Sequence, residues 1–318
     1  MSFWLPFLTL RRLEEDTSSS MSSRFEKWIA LHGRQCMDAE EEEQRFQIFR
    51  DNLQFIDTLN SEGGPYKQTT NKFADLTNDE FRATHMGFKA FARATMVSGA
   101  PFVCANVSAP ASMDLRAKGA VTPLENQGLC SCWAFSVVAA IEGKTQIKTG
   151  KLVSPSEQEL GYLNDAFKFI INNQGLSTEA TYPYKAVVGT CNTKNVSAHA
   201  ATITGYRDVP TNNETALLKA AASQLFYSGG VFTGDCGTET DHCLTAIGYG
   251  TSDDGTKYWL LKNSWGEEWG EKGYVRMQRD VASKEGDSSV VQQRKHPTPL
   301  HQSPSTSSHA LVYICSCC

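Results

Sequence analysis

Hydrophobic periodicity divides this chain in two. Up to about residue 173 the apolar residues recur at helical spacing, and beyond residue 200 the patterned segments read as strands. Helices first and strands after point to an α+β fold, a helical half packed against an antiparallel sheet half. In the helical part, Phe25, Trp28, Ile29 and His32 fall at three- and four-residue intervals, with Gly33 as a stop. Phe46, Phe49, Leu53 and Ile56 form one stripe on a longer helix over 38–59, and the acidic run Glu40 to Glu43 suits the positive end of its dipole. Asn71 to Asp75 reads as extended, and Asn78-Asp79-Glu80 opens a helix toward Met86. Trp133, Val137, Ala140, Ile141 and Lys144 share a face of a helix over 132–148 that Gly150 ends. Further helices are expected from Ser156 to Glu159 and over 165–173. Strands are expected at 201–206, 244–249, 258–262 and 274–277, the middle pair joined by the hairpin turn Asp253-Asp254-Gly255.

Composition narrows the function. The 30 basic and 35 acidic residues leave a net charge of −5, so the basic field of a nucleic-acid binder is absent. No apolar run approaches the roughly 20 residues of a membrane helix. Ten cysteines and three acceptor triplets at Asn106, Asn195 and Asn213 fit a secretory route to an acidic vacuole, a lysosome-like compartment or the cell exterior. The N-terminus is a poor signal peptide: Phe3 to Leu10 is short, and Arg11 and Arg12 follow the apolar run instead of preceding it.

The region from Met113 to Gly286 holds only two histidines. His199, in a polar Ser-Ala-His-Ala stretch, reads as surface. His242 heads an apolar strand, a rigid element on which an imidazole is fixed. The best nucleophile candidate is Cys132, where a Gln-Gly loop enters a long helix. A thiol at a helix N-terminus feels the positive end of the dipole and ionises more readily, and beside an imidazole it becomes a nucleophile. Taken alone, a cysteine before Trp-Ala-Phe is a core residue.

The surrounding words change that reading. Gln127-Gly128-Leu129-Cys130-Ser131-Cys132-Trp133-Ala134-Phe135-Ser136, with Asp241-His242 and Lys262-Asn263-Ser264-Trp265-Gly266, resembles the papain-like cysteine proteases, and most of all the plant cathepsin-L-like, senescence-type members. Glu41, Arg45, Phe49, Asn52, Ile56 and Asn60 fall at spacings of 4, 4, 3, 4 and 4, similar to the ERFNIN signature of cathepsin-L-type propeptides. Asn71, Phe73 and Asp75 match most of a second propeptide motif, with Thr69 where Gly is usual. The resemblance implies a two-lobed papain-like fold preceded by a helical prodomain. It divides the chain into an N-terminal segment (1–23), an inhibitory prodomain (24–95), a linker (96–109), a peptidase domain (110–286) and an unrelated disordered tail (287–318). It implies a monomeric zymogen acting on protein or peptide substrates, with its own prodomain in the cleft and no metal or organic cofactor. Cys132 would be the nucleophile and His242 the base and then acid. Asn263 would hold the imidazole, with Trp265 shielding it, and Gln127 would donate to the oxyanion beside the Cys132 N–H.

Several departures accompany the match. Gln127 stands five positions before Cys132, one fewer than the family pattern. Ser156 to Leu160 runs straight into Gly161 without the family's specificity-pocket loop, and an apolar core strand is missing around Ser223 to Phe226. His242 follows Cys132 by 110 positions, against roughly 130–150 in the family. By the resemblance Cys130, Cys191 and Cys236 belong to disulfides whose partners are absent, and Cys243 stands in place of Gly, with Cys236 one candidate to pair with it. A second reading is therefore a non-catalytic derivative, misfolded or acting as a prodomain-type inhibitor of related proteases.

Overall fold

The computed structural model describes residues 21–86, 110–128, 131–160, 166–187, 189, 199–209, 225–234, 242–279, 294–298 and 312–316, with 205–209, 294–298 and 312–316 described by backbone alone. The expectations on Phe3 to Leu10, the three acceptor asparagines, Cys130, Cys191 and Cys236 lie outside these residues.

Two helices open the described chain, α1 over 21–32 and α2 over Ala39–Ser61. Asp38 caps α2 by accepting from the Glu41 N–H at 2.9 Å. The predicted stripe is buried: Phe49, Leu53 and Ile56 face inward, and Phe49 packs on Phe25 and Trp28 with ring centroids 5.2 and 5.5 Å apart. The polar signature residues on α2 grip the segment that follows. Arg45 pairs with Glu80 at 2.9 Å. Asn52 donates to the Ala74 and Leu76 carbonyls, and Asn60 exchanges two bonds with the Gln68 backbone. Helix α3, Asn78–His85, starts on a Thr77/Glu80 capping box and buries Phe81.

The rest forms a helical lobe and a sheet lobe. Helix α4, Cys132–Thr149, ends at Gly150 with φ 72°, a left-handed cap that glycine adopts without strain. With α5, Ala166–Asn172, it builds a core of Val137, Val138, Ile141, Phe167, Ile170 and Leu176. The main sheet runs in the order β1 (Tyr66–Gln68), β4 (Tyr227–Phe232), β7 (Tyr274–Gln278), β6 (Lys257–Lys262), β5 (His242–Thr251), β2 (Met113–Asp114). All its pairings are antiparallel except the parallel contact of β4 with β7. Between β5 and β6, Asp254 accepts from Ser252 and Thr256, and Gly255 has φ 86°, as the turn residues predict. A separate pair joins β3 (Gly205–Val209) to β8 (Arg294–Thr298).

Strand β1, from the N-terminal helical region, adds itself to the edge of the sheet lobe. The approach is close: Gly230 has φ 96°, and a Cβ there would meet the Pro65 carbonyl oxygen at 2.3 Å, so only glycine fits. Asn71 donates to the Leu225 carbonyl at 2.6 Å and the Thr69 N–H to the Phe226 carbonyl at 2.9 Å. One buried core runs through both parts, from Trp28, Phe49 and Phe81 to Phe226, Trp265 and Trp269.

Four readings need correction. The strand expected at 201–206 is displaced to Gly205–Val209, with only an isolated bridge from Ala201 to Leu176 before it. Asn71 to Asp75 is a turn, because the Asn71 side chain accepts from the Phe73 N–H and bends the chain locally. Ser156 to Glu159 is a bend and turn after a bridge at Pro155, not a helix: Ser156 bonds to Ser177 and Tyr182, and Glu159 to Asn173 and Ser177, so the polar side chains join a neighbouring segment. The segment after 287 is not wholly disordered, since it contains β8 and β9 (Val312–Ser316). Strand β9 pairs antiparallel with His242 to Ala246, end to end with β2 along one edge of β5. A polar average over the segment hid the β-prone Val-Tyr-Ile run, for which that edge supplies a ladder.

Candidate active site

Three words that lie far apart in the sequence meet where the lobes join. Cys132 is the first residue of α4, completely buried and outside any disulfide. His242 is the first residue of β5, and its neighbour Cys243 shares a buried cluster with Cys132. Cys243 is disulfide-bonded. Thr245 further ties β5 to α4 by donating to the Ser136 carbonyl at 3.2 Å.

The hydrogen bonds around His242 fix its tautomer. Asn263 Oδ1 accepts the Ser264 N–H at 2.8 Å, so it is the oxygen that faces His242 Nε2, also at 2.8 Å. Nε2 must then donate, which leaves Nδ1 as the acceptor nitrogen of the neutral ring. Nδ1 is buried and carries no hydrogen bond, from Cys132 or from any other described group. Trp265 stacks on the imidazole with centroids 4.5 Å apart and planes 23° off parallel. Phe73, Phe81 and Trp269 meet the indole edge-on, so the Asn263–His242 bond is sealed from water. That burial pushes the His242 pKa down to about 4, against the pull of Asn263 and with a smaller push from His85.

Gln127 is fully buried beside this group. Its N–H donates to the Ser264 carbonyl at 2.8 Å, and its side-chain oxygen accepts from Ser264 Oγ at 2.6 Å. With its oxygen held, the amide nitrogen is aimed outward, and it donates to the main-chain carbonyl of His85 at 2.9 Å. His85, at the end of α3, stacks on Phe81 and has its own pKa lowered to about 4, chiefly by burial and then by Lys72. His199 is exposed and apart from the site, as the sequence suggests.

Behind Asn263 lies a set of carboxylates. Lys262 donates to Thr122 Oγ1 at 2.7 Å, and that hydroxyl donates to Glu142 at 2.6 Å. Burial first and neighbouring negative charge second raise the pKa of Glu125 to about 7 and that of Glu157 well above the carboxylate range; burial also raises Glu142, against Lys262. Glu179 adds to the negative charge at Glu125 and Glu157, and Lys262 offsets it at Glu125 and Glu142.

Sequence reasoning singled out Gln127, Cys132, His242, Asn263 and Trp265. It missed Ser264, which lies inside the Asn-Ser-Trp word and was legible there. It also missed His85 and Tyr184, which no local pattern marks.

Comparison with known proteins adds the lineage of these parts. Residues 109–294 match the papain family cysteine protease domain, and residues 25–81 match the cathepsin propeptide inhibitor domain. The chain is 47% identical to "Senescence-specific cysteine protease SAG12" of Arabidopsis thaliana over 317 residues, covering 89% of this chain and 92% of that protein. It is 44% identical to "Vignain" of Ricinus communis, covering 89% and 88% respectively. Among solved structures, a recombinant stem bromelain precursor superposes with a TM-score of 0.80 at 40% identity, covering 89% of this chain and all of that one. The proform of the ragweed pollen allergen Amb a 11, a cysteine protease, gives 0.76 at 35% identity, covering 88% and 94%.

Proposed function

The chain belongs to the papain family of cysteine proteases and carries the family's propeptide, and on that premise we propose that it is an endopeptidase zymogen working through Cys132, His242 and Asn263. The Cys132 sulfur attacks the peptide carbonyl carbon as its proton passes to His242 Nδ1. The carbonyl π electrons move to oxygen, where the Gln127 amide and the Cys132 N–H stabilise the charge. Collapse expels the amine with the proton held on His242. Water, deprotonated by the same nitrogen, then releases the acyl group. Asn263 keeps the imidazole in the tautomer that presents Nδ1 to the thiol. We divide the chain functionally as an inhibitory prodomain (24–95), a linker (96–109) and a peptidase domain (110–286), and place it in an acidic vacuole or outside the cell. No described helix is long and apolar enough to cross a membrane.

The observation that carries this reading is the Gln127 amide on the His85 carbonyl at 2.9 Å. The donor assigned to the oxyanion already holds a main-chain carbonyl, supplied by the propeptide. The inhibited state therefore engages the same group that a substrate would use. The test is to acidify the refolded full chain and expose it to an epoxide probe that alkylates activated cysteine proteases, with Cys132→Ala in parallel. Labelling that disappears in Cys132→Ala supports the mechanism. Folded, soluble protein that takes no label moves the assignment to the non-catalytic derivative.

A further inference from the structure

The loop from Gln127 to Cys132 is one residue shorter than the family pattern, and the residue before the nucleophile does not cap its helix in the usual way. Ser131 is the N-cap of α4, yet its side chain makes no capping bond. Its hydroxyl turns instead to the hydroxyl of Tyr184. Tyr184 in turn reaches the Gln127 carbonyl at 2.8 Å, while Ser131 is 3.4 Å from that same oxygen. Donor counting orders the chain. A carbonyl only accepts, so the single Tyr184 proton goes to Gln127; the Ser131 proton then goes to Tyr184. One tyrosine hydroxyl thus links the peptide of the oxyanion-donating glutamine to the residue that precedes the nucleophile.

Tyr184 is itself held at both ends. Its N–H donates to the Glu179 carboxylate at 2.7 Å, and its ring meets Phe135, on the first turn of α4, edge-on with centroids 4.9 Å apart. The next residue, Lys185, donates its N–H to Gln158 at 2.8 Å. The segment is therefore a fixed post and not a passing loop.

We propose that Tyr184 is a positioning residue for the oxyanion site, setting the Gln127 peptide and the head of α4 in one geometry. The inference rests on the peptidase reading above. It touches neither substrate nor reacting atoms and acts only through Gln127 and Ser131. A misplacement of about 1 Å in such a site costs on the order of 100-fold in rate.

The test is Tyr184→Phe in the full chain, activated at acid pH beside the unaltered protein. Phenylalanine keeps the ring against Phe135 and removes only the hydroxyl. A fluorogenic peptide substrate should show kcat reduced roughly 10- to 100-fold with KM unchanged. A peptide aldehyde, whose hemithioacetal adduct places the former carbonyl oxygen in the oxyanion site, should bind more weakly by a similar factor. Alkylation of Cys132 by iodoacetamide, which forms no oxyanion, should keep its rate. Equal kcat in both proteins overturns the proposal. So does a parallel loss of aldehyde binding and alkylation, which marks general disruption. If the unaltered chain alkylates normally but neither cleaves peptide nor binds aldehyde, the peptidase reading falls and this inference falls with it.

Discussion

Replacing Glu125 by glutamine should stabilise the protein at neutral pH and leave it unchanged in acid. Glu125 shares a poorly hydrated region with Glu142, Glu157 and Glu179; burial first and Glu142 second raise its pKa to about 7, against Lys262. A carboxyl group with a raised folded-state pKa favours the fold fully below its unfolded value, and that support is lost as pH rises through the folded value. The window runs from the ordinary 4.5 up to about 7. A difference of that size corresponds to a ceiling of about 3 kcal/mol, and partial solvent screening brings the expected gain to about 1–3 kcal/mol. Glutamine is the permanent analogue of the protonated acid, so the variant escapes the cost of ionisation. Thermal melting at pH 7.5 should show Tm raised by about 2–12 °C, while the two proteins melt together at pH 4.5. An equal shift at both pH values, or none at pH 7.5, would refute the reasoning.

Acidification should loosen the propeptide over the site. His242 and His85 both have closed-state pKa values near 4, below the ordinary 6.5, so closure is fully supported above 6.5 and loses support as pH falls toward 4. For His85, which lies on α3 and leaves the site with it, the loss between pH 7 and 5 is at most about 2 kcal/mol and about 1 kcal/mol after solvent screening; hydrogen exchange of α3 in a Cys132→Ser protein, corrected for intrinsic rates, should show protection reduced about 5-fold, and unchanged protection would count against the scheme. Gln127→Ala should lower kcat about 100- to 1000-fold in peptide hydrolysis, and retention of full activity would remove Gln127 from the oxyanion site.

Sequence pattern reached the parts whose signals are local. The α2 stripe, the Gly150 stop and the strands around Asp254-Gly255 each follow from spacing or a single turn residue, and the structure has them. The Gln127, His242 and Asn263 words identified side chains that the structure joins through Ser264 and one shared amide oxygen. What escaped depends on partners distant in the chain. Strand β4, Tyr-Ser-Gly-Gly-Val-Phe, has no alternation, and its second glycine makes sense only once Pro65 passes over Gly230. Ser156 and Glu159 look like a helix start until Ser177 and Tyr182 are beside them. His85 contributes a main-chain carbonyl, which no side-chain pattern can announce.

Strand β9 has a consequence for the order in which the molecule is made. The segment of β5 from His242 to Ala246 is paired by residues 312–316, so its ladder closes only after 66 to 74 further positions of chain have been synthesised. Closing so long a connection is entropically slow. During that interval the strand bearing His242 is an open edge, available to any other extended chain nearby. Yield of soluble protein should therefore depend on how fast translation passes residue 316 and on chaperone capacity meanwhile.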